Sequence, residues 1–213
     1  MRILLTGGSG VLGRAAVPRL REQGHEVVAP ARDELDLFDA AAVRDAVRPA
    51  EAVFHLATRI PPRGRRKEPG VWAENDRLRA EASALLVDAA LAAATEVYVQ
   101  PSVVFVYPPG PANEATPVGD VPASLRSALA AEAEAARFAD AGRRGIALRL
   151  GSLWGPGTGS DEADDDRSLW VEDAGTALVA ALAAPSGLYN VVADGAAVSN
   201  ELFKRASGWC PLR

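Results

Sequence analysis

Three glycines near the start of the chain have the spacing of a phosphate-binding loop. Gly7, Gly10 and Gly13 follow a short apolar run and precede a helical pattern. Such a loop lets the backbone approach a pyrophosphate, while the next helix offers free N–H groups and the positive end of its dipole. Val11 and Leu12, at the helix start, would provide some of these N–H groups. The alternative is a tight strand-to-helix turn without a ligand, but the strand–loop–helix context favours a dinucleotide.

The elements that position this loop alternate regularly along the chain. Six apolar segments predict strands, at 1–6, 26–31, 52–58, 96–107 (a strand and its extension), 145–157 (a strand and its exit loop) and 187–193. Five segments with helical periodicity lie between them, at 11–23, 41–47, 71–94, 127–142 and 171–184. Near-continuously apolar strands are typical of a parallel sheet covered on both faces. We therefore predict an α/β fold, a doubly wound Rossmann sheet with helices on both faces.

Length and composition narrow the class of protein. The 213 residues predict one dinucleotide-binding domain spanning 1–213, and the net charge of −5 argues against a nucleic-acid partner. The single cysteine excludes an internal disulfide framework. No apolar stretch is long enough to span a membrane, and the chain opens directly into a strand, so we expect a cytoplasmic protein. The acidic run at 161–166 is interpreted as a solvated loop, and no metal site is predicted.

Several further motifs occur in a consistent order. They are TGGSGVLG at 6–13, Asp36–Leu37, HLAT at 55–58, Asn75, LRLGSLWGPG at 148–157, VEDAGTALVAAL at 171–182 and GLYNVV at 187–192. Together they resemble the extended short-chain dehydrogenase/reductases, the NAD(P)-dependent epimerase/dehydratase group. The resemblance implies that Asp36 and Leu37 touch the adenine and that Leu56, Ala57 and Thr58 end a strand against the cofactor. It also implies a small-molecule substrate or effector, and it is compatible with a homo-oligomer.

The exit of the second strand bears on the choice between NAD and NADP. An acidic residue there would bind the ribose 2′-hydroxyl of NAD. Here Arg32 occupies the exit and could pair with the 2′-phosphate of NADP, whereas Asp33 and Glu34 follow at once and keep NAD open. Arg32 could equally be a solvated surface cation. NADP is slightly favoured.

The chain departs from the resembled family where proton transfer is performed. The family uses a tyrosine as general acid/base and a lysine four residues later, because a phenol needs a nearby cation to ionise at neutral pH. The matching positions here are Ser124 and Ala128, and none of the three tyrosines precedes a lysine by four residues. Glu132 falls where the family often has glutamate. The standard mechanism of the family is therefore excluded.

Two hydroxyl groups remain as catalytic candidates. Ser102 matches the third catalytic position of the family, and its hydroxyl would face the nicotinamide or the substrate; alternatively it satisfies local backbone groups. Tyr107, predicted near the mouth of the cleft, could replace the missing acid, or it could serve packing. His55 is expected to pack near the cofactor rather than to perform chemistry.

The chain is also shorter than a typical member of the resembled family. The segments after the fifth strand, about 151–213, predict a much reduced substrate subdomain and a shallow, open cleft. Two hypotheses follow. The first is an atypical NAD(P)(H)-dependent enzyme acting on a small molecule by redox, epimerase, isomerase or cyclase chemistry. The second is a catalytically inactive dinucleotide-binding protein that acts as a sensor or accessory protein.

Overall fold

A computed structural model describes residues 1–213 with the exception of the Arg63 side chain. Its strands are β1 (Arg2–Thr6), β2 (Glu26–Val28), β3 (Ala52–His55), β4 (Val97–Val103), β5 (Arg144–Leu150), β6 (Ser152–Trp154), β7 (Ser168–Trp170) and β8 (Gly187–Val191). Its helices are α1 (Val11–Glu22), α2 (Ala40–Val47), α3 (Ala73–Arg77), α4 (Ser83–Ala92), α5 (Ala123–Asp140), α6 (Val171–Ala180) and α7 (Glu201–Ser207).

The central sheet is parallel and has the order β2-β1-β3-β4-β5-β8. The inner strands β1, β3 and β5 are almost wholly buried, as the apolar runs predicted, whereas the edge strand β2 is exposed at Glu26 and Val28. The chain leaves β1 toward one edge and returns to place β3 on the other side of β1. This reversal between β1 and β3 opens a crevice at the carboxyl ends of the strands, where ligands bind in such sheets. The predicted α/β Rossmann-like fold is confirmed.

Two hydrophobic layers cover the two faces of this sheet. One contains alternate side chains of the strands packed with α1, α6 and α7, including Ile3, Phe54, Leu148, Leu178 and Phe203. The other contains the opposite set packed with α2, α4 and α5, including Leu4, Val53, Tyr98, Leu86 and Phe138. Because strand residues alternate between faces, a residue's position in β3, β4 or β5 decides which layer it joins.

Several predicted elements differ in extent from those observed, and the chain after β5 contains a further short strand, β6, which pairs with β7 outside the central sheet. The second strand is limited to Glu26–Val28, and the fourth ends at Val103. After Val103 the chain forms a 3-10 turn in which the Tyr107 N–H donates to the Val104 carbonyl over 3.1 Å, so the strand ladder stops. The helix predicted over 71–94 is divided by a π-helical turn, Leu78–Ala82, between α3 and α4.

The C-terminal segment folds back onto the start of α6. The buried Asp173 carboxylate accepts hydrogen bonds from the backbone N–H of Leu212 (2.8 Å) and Arg213 (3.2 Å). The Trp209 indole N–H donates to the Thr176 hydroxyl over 3.0 Å. These bonds give the last residues fixed positions. None of the helices in the described part of the chain combines the length and apolar character that a membrane crossing requires.

Helices α1 and α6 approach closely at Gly175. A Cβ added there would lie 2.9 Å from both the Cβ and the carbonyl oxygen of Ala15. We predict that Gly175→Ala lowers the free energy of unfolding by about 1–3 kcal/mol through overpacking, measured by urea denaturation. Gly64→Ala is the control, because an added Cβ there meets nothing within 4 Å. Equal stability of the two variants would contradict the prediction.

Candidate functional site

The glycine loop is held in a shape that excludes side chains. Gly7 has a φ of +76°, and a Cβ on it would lie 2.6 Å from the backbone nitrogen of Ala57. A Cβ on Gly13 would lie 2.4 Å from the Gly7 carbonyl oxygen, and one on Gly10 would lie 3.1 Å from it. The Gly10 N–H donates to that same oxygen over 3.0 Å. The three glycines thus place α1 directly against the end of β3.

The N-terminus of α1 is available to an anion. No described side chain caps Gly10, and the first turn contains no acidic residue. The first N–H groups of a helix, here those of Val11 and Leu12, have no partner within it. Arg14, at the end of the first turn, donates to the Ser9 carbonyl over 2.5 Å and adds a positive charge. A loop that a Cβ would fill and an uncapped helix start together fit the pyrophosphate of a dinucleotide.

The predicted adenine side lies after β2. Asp36 is exposed and accepts the Phe38 N–H over 2.9 Å, while Leu37 is buried against α2. Arg32 is exposed and donates to Glu74 over 2.5 Å. The guanidinium of Arg59 lies 3.6 Å from the other oxygen of the same carboxylate. Two guanidinium groups therefore share one carboxylate at the rim of the crevice.

The end of β3 is fixed by a buried chain of hydrogen bonds. The Thr6 hydroxyl lies 2.7 Å from His55 Nδ1, and His55 Nε2 lies 2.9 Å from the Leu78 carbonyl. Because a carbonyl only accepts, Nε2 carries the ring proton and Nδ1 accepts from Thr6. Burial lowers the pKa of His55 to about 4, so the ring is neutral at pH 7. This geometry is that of a packing residue.

The residues that follow His55 lie directly beneath the loop. Leu56 is buried, Ala57 contacts the glycine loop and Thr58 is exposed. The Ala57 N–H is directed at the Thr6 hydroxyl oxygen over 3.3 Å. The structure therefore brings the predicted 56–58 segment together with Gly7 and Gly13.

Ser102 is part of a buried ion-pair network beneath α5. Its hydroxyl donates to Glu132 over 2.5 Å, and Arg149 makes two bonds to the same carboxylate, of 2.8 and 2.7 Å. Ser102, Arg149 and Asn190 are paired in register on the adjacent strands β4, β5 and β8. The Ser102 residue is only 2% exposed. The network ties α5 to the carboxyl ends of β4 and β5.

Tyr107 is buried rather than exposed at the cleft. Its residue is 4% exposed, and its hydroxyl donates to Asn190 Oδ1 over 3.0 Å. The Arg149 guanidinium lies 4.6 Å from the centre of its ring. Burial raises the pKa of Tyr107, although Arg149 acts in the opposite direction. The phenol therefore keeps its proton at neutral pH.

The first turns of α5 contain Ser124 and Ala128, which match the tyrosine and lysine positions of the family that the sequence resembles. Ala128 is fully buried, and the Ser127 hydroxyl donates to Asp76 of α3 over 2.7 Å. Arg79, on the π turn facing α5, is 6% exposed. Sequence reasoning missed it, because the π turn breaks the helical periodicity that would have placed it in the site. It also missed Arg149, although the LRLGSLWGPG motif contains it.

A cavity of about 590 Å³ lies beside the end of β4. Its lining includes Phe105, which is 37% exposed, and the carboxylates of Asp120, Asp165 and Asp166. Arg167, the one cation among the described lining residues, donates to the carbonyls of Pro108 (2.7 Å) and Gly110 (2.9 Å). This cavity thus combines an aromatic surface with a net negative charge.

The Glu132–Arg149 pair should be essential for folding stability. Glu132→Gln removes the charge opposite a buried guanidinium, and we predict a loss of about 3–5 kcal/mol in the free energy of unfolding. The double variant Glu132→Leu/Arg149→Met should recover most of this loss, since it leaves no unpaired charge. Urea denaturation measures both. A loss below about 1 kcal/mol for Glu132→Gln, the value of a solvent-screened pair, would contradict the buried network.

His55 should make the fold sensitive to acid. Its pKa is about 4 in the folded chain, against about 6.5 when unfolded, so the unfolded state binds more protons between these values. Stability is full above pH 6.5 and falls as the pH approaches 4, by roughly 3 kcal/mol in all. His55→Gln should remove this part of the pH dependence in urea titrations. His25→Gln, which changes the only other histidine, should leave most of it; equal slopes for the two variants would refute the assignment.

Comparison with known proteins places these features in a family. A sequence profile described as "NAD dependent epimerase/dehydratase family" matches residues 3–174. A 3-diazoavenalumate denitrifying reductase from Streptomyces sp is 35% identical over 202 residues, which cover 84% of this chain and 61% of that protein. The chain thus spans about three fifths of the length of this relative.

Solved structures share the fold over almost the whole chain. MoeE5 in complex with UDP-glucuronic acid and NAD has a TM-score of 0.78 at 25% identity, covering 99% of this chain and 84% of that one. UDP-N-acetylglucosamine 4-epimerase from Bacillus cereus has a TM-score of 0.82 at 17% identity, covering 100% and 94%. With its glycine loop, parallel sheet and matching profile, the chain belongs to the NAD dependent epimerase/dehydratase family.

Proposed function

We propose that this chain binds NADP(H) or NAD(H) and reduces a small aromatic cation without a tyrosine–lysine pair. The proposal rests on one observation. A glycine loop that fits a dinucleotide is combined with a polar cluster whose hydroxyl groups already donate hydrogen bonds within the protein. Ser102 donates to Glu132, and Tyr107 donates to Asn190. This arrangement favours reduction over epimerase, isomerase or cyclase chemistry that relies on a side chain to take up and return a proton.

The cofactor would lie across the crevice between β1 and β3. Its pyrophosphate would rest on the loop of Gly7, Gly10 and Gly13 and on the N–H groups of Val11 and Leu12. The adenosine would lie over Asp36 and Leu37, and the 56–58 segment would support the centre. When bound, the reduced cofactor would supply a hydride.

The two arginines at the rim support NADP over NAD. A 2′-phosphate carries more negative charge than the Glu74 carboxylate, and it could bind between Arg32 and Arg59 in place of that side chain. We predict that Arg32→Met and Arg59→Met each lower the preference for NADPH over NADH by about tenfold. Binding titrations of both cofactors measure this preference. Arg48→Met, an exposed arginine on the far end of α2, is the control; unchanged ratios in the rim variants would favour NAD.

Because the hydroxyl groups of Ser102 and Tyr107 already donate to other side chains, we expect a substrate whose reduction consumes no proton. An arenediazonium ion is such a substrate. Hydride forms a C–H bond at the ring carbon, the C–N bond breaks, and N₂ leaves with the bonding electron pair. With a bound reduced nicotinamide as hydride donor, the products would be a neutral arene, N₂ and the oxidised nicotinamide, which takes over the positive charge, so charge and atoms balance without an acid. In this proposal Ser102 is a positioning residue that holds Glu132 and Arg149, and Tyr107 holds Asn190.

The lining of the 590 Å³ cavity agrees with a cationic aromatic substrate. Phe105 offers an apolar surface, and the carboxylates of Asp120, Asp165 and Asp166 attract positive charge. They would repel the diphosphate of a nucleotide sugar. The name of the Streptomyces relative describes reductive denitrification of a diazo compound. Both observations support the same substrate class.

Cofactor binding is the first test. NADPH and NADH fluorescence should change on addition of the wild-type protein and not on addition of Gly13→Ala, in which the new Cβ collides with the loop. Binding of neither cofactor by the wild type would overturn the proposal.

Turnover is the second test. With 4-methoxybenzenediazonium, an aromatic cation without a carboxylate, and NADPH deuterated at the transferable position, we expect deuterium in the arene at a rate above that with Gly13→Ala. We also expect kcat/KM to be constant between about pH 6 and 9, since no acid–base group takes part. Tyr107→Phe should retain turnover. Cofactor binding without deuterium transfer would favour the inactive, cofactor-sensing protein instead.

A further inference from the structure

The π turn between α3 and α4 presents a buried cation without a partner. Arg79 is 6% exposed, and among the described side chains it has neither a hydrogen-bond partner nor an ion-pair partner. Its guanidinium nitrogens are not among the fully buried side-chain atoms without a partner, so they keep contact with solvent. π-helical turns are rare and frequently occur at functional sites. The fold therefore places a largely buried cation, with no direct bond to a described side chain, at a position where the helix geometry is specialised.

The carboxylates near Arg79 are already engaged. Glu132 binds Ser102 and Arg149, and Asp76 accepts the Ser127 hydroxyl. Both carboxylates attract the Arg79 charge from a distance, while burial lowers its pKa. No direct bond from Arg79 to either is formed. Its N–H groups thus remain available as donors.

A second unpartnered donor lies one turn earlier on the same segment. The Asn75 side chain is fully buried, and its Oδ1 accepts a hydrogen bond from the backbone N–H of Arg59 over 3.1 Å. Its Nδ2 atom is the one buried side-chain nitrogen or oxygen without a hydrogen-bond partner in the described part of the chain. Buried polar groups of native proteins almost always have a partner. Asn75 and Arg79, one turn apart on the same segment, thus both have donors available to a ligand with acceptor oxygens.

The sheet order shows which part of a dinucleotide could reach these donors. The pyrophosphate cradle lies at the end of β1, and the predicted adenosine side lies toward β2. The other half of the molecule must therefore run toward β3 and β4. Helices α3 and α4 connect these two strands, so Arg79 and Asn75 lie on that half.

Helix α5, which faces the π turn, has no cation on the face that carries Ala128 and Glu132. Ala128 and Glu132 of α5 are one turn apart and share a face. Ala128 is fully buried and contributes only a methyl group. The Asp76–Ser127 bond holds α3 against this part of α5.

We propose that Arg79, assisted by the Asn75 amide, binds an oxygen of the nicotinamide half of the bound dinucleotide. This inference rests on the proposed function. It assigns the positive charge of the site to the π turn rather than to α5.

Substitution of Arg79 should weaken cofactor binding without lowering the stability of the protein. For Arg79→Met we expect the Kd for NADPH to rise at least about tenfold, while the Kd for ADP, which lacks the nicotinamide half, changes less than about twofold. The melting temperature without ligand should stay the same or rise, because an unpaired buried charge has been removed. Arg79→Lys should bind NADPH with intermediate affinity. Arg48→Met is the control for both ligands.

The outcomes that overturn the inference are distinct. Unchanged NADPH affinity in Arg79→Met, or equal weakening of NADPH and ADP, excludes a specific contact to the nicotinamide half. A melting temperature lowered by several degrees assigns Arg79 a structural role instead. Failure of the wild type to bind NADPH or NADH removes the proposed function itself, whereas wild-type binding with an unaffected variant removes only the role of Arg79.

Discussion

The close approach of two backbone segments governs the site. Gly7 packs against Ala57 so tightly that a Cβ would lie 2.6 Å from a backbone nitrogen, and Gly13 packs equally closely on Gly7. This contact fixes the start of α1 over the crevice between β1 and β3. The helix dipole and the uncapped N–H groups then point at the crevice between β1 and β3, where the order of the strands reverses. Any side chain at these glycines would move the helix away from the crevice.

Beneath the crevice, polar groups replace the hydrophobic layer at the carboxyl ends of the strands. Thr6 and His55 are paired in register, as are Ser102, Arg149 and Asn190. Each of these residues continues a face that is apolar lower in the sheet. Buried charges are tolerated there because Glu132 makes three short bonds to its neighbours. The hydroxyl groups of Ser102 and Tyr107 both donate hydrogen bonds within the protein.

This arrangement changes what chemistry the family fold can support in this chain. General acid–base catalysis needs a group that can exchange protons with the substrate, and such a group must reach the cleft. Ser102 is instead buried below it, and the hydroxyl of Tyr107, a residue that lines the 590 Å³ cavity, is bonded to Asn190. Hydride transfer to a cation makes no such demand, and an acidic cleft lowers the energy of a positive substrate. The missing dyad and the charge of the cleft therefore have a common explanation in the proposed function.

The sequence alone determined the sheet class, the dinucleotide loop and the loss of the tyrosine–lysine pair, because these depend on local spacing. Alternating apolar strands, the three glycines and the absence of a suitable tyrosine can all be recognised without neighbours in space. Only the tertiary structure decided where the side chains point. Ser102 and Tyr107 looked equivalent in the sequence to cleft residues, and strand alternation together with a 3-10 turn directs both inward. Arg79 gave no sequence signal, because its buried and unpartnered state arises from the π turn and from two carboxylates that other groups already occupy, Asp76 on α3 and Glu132 on α5.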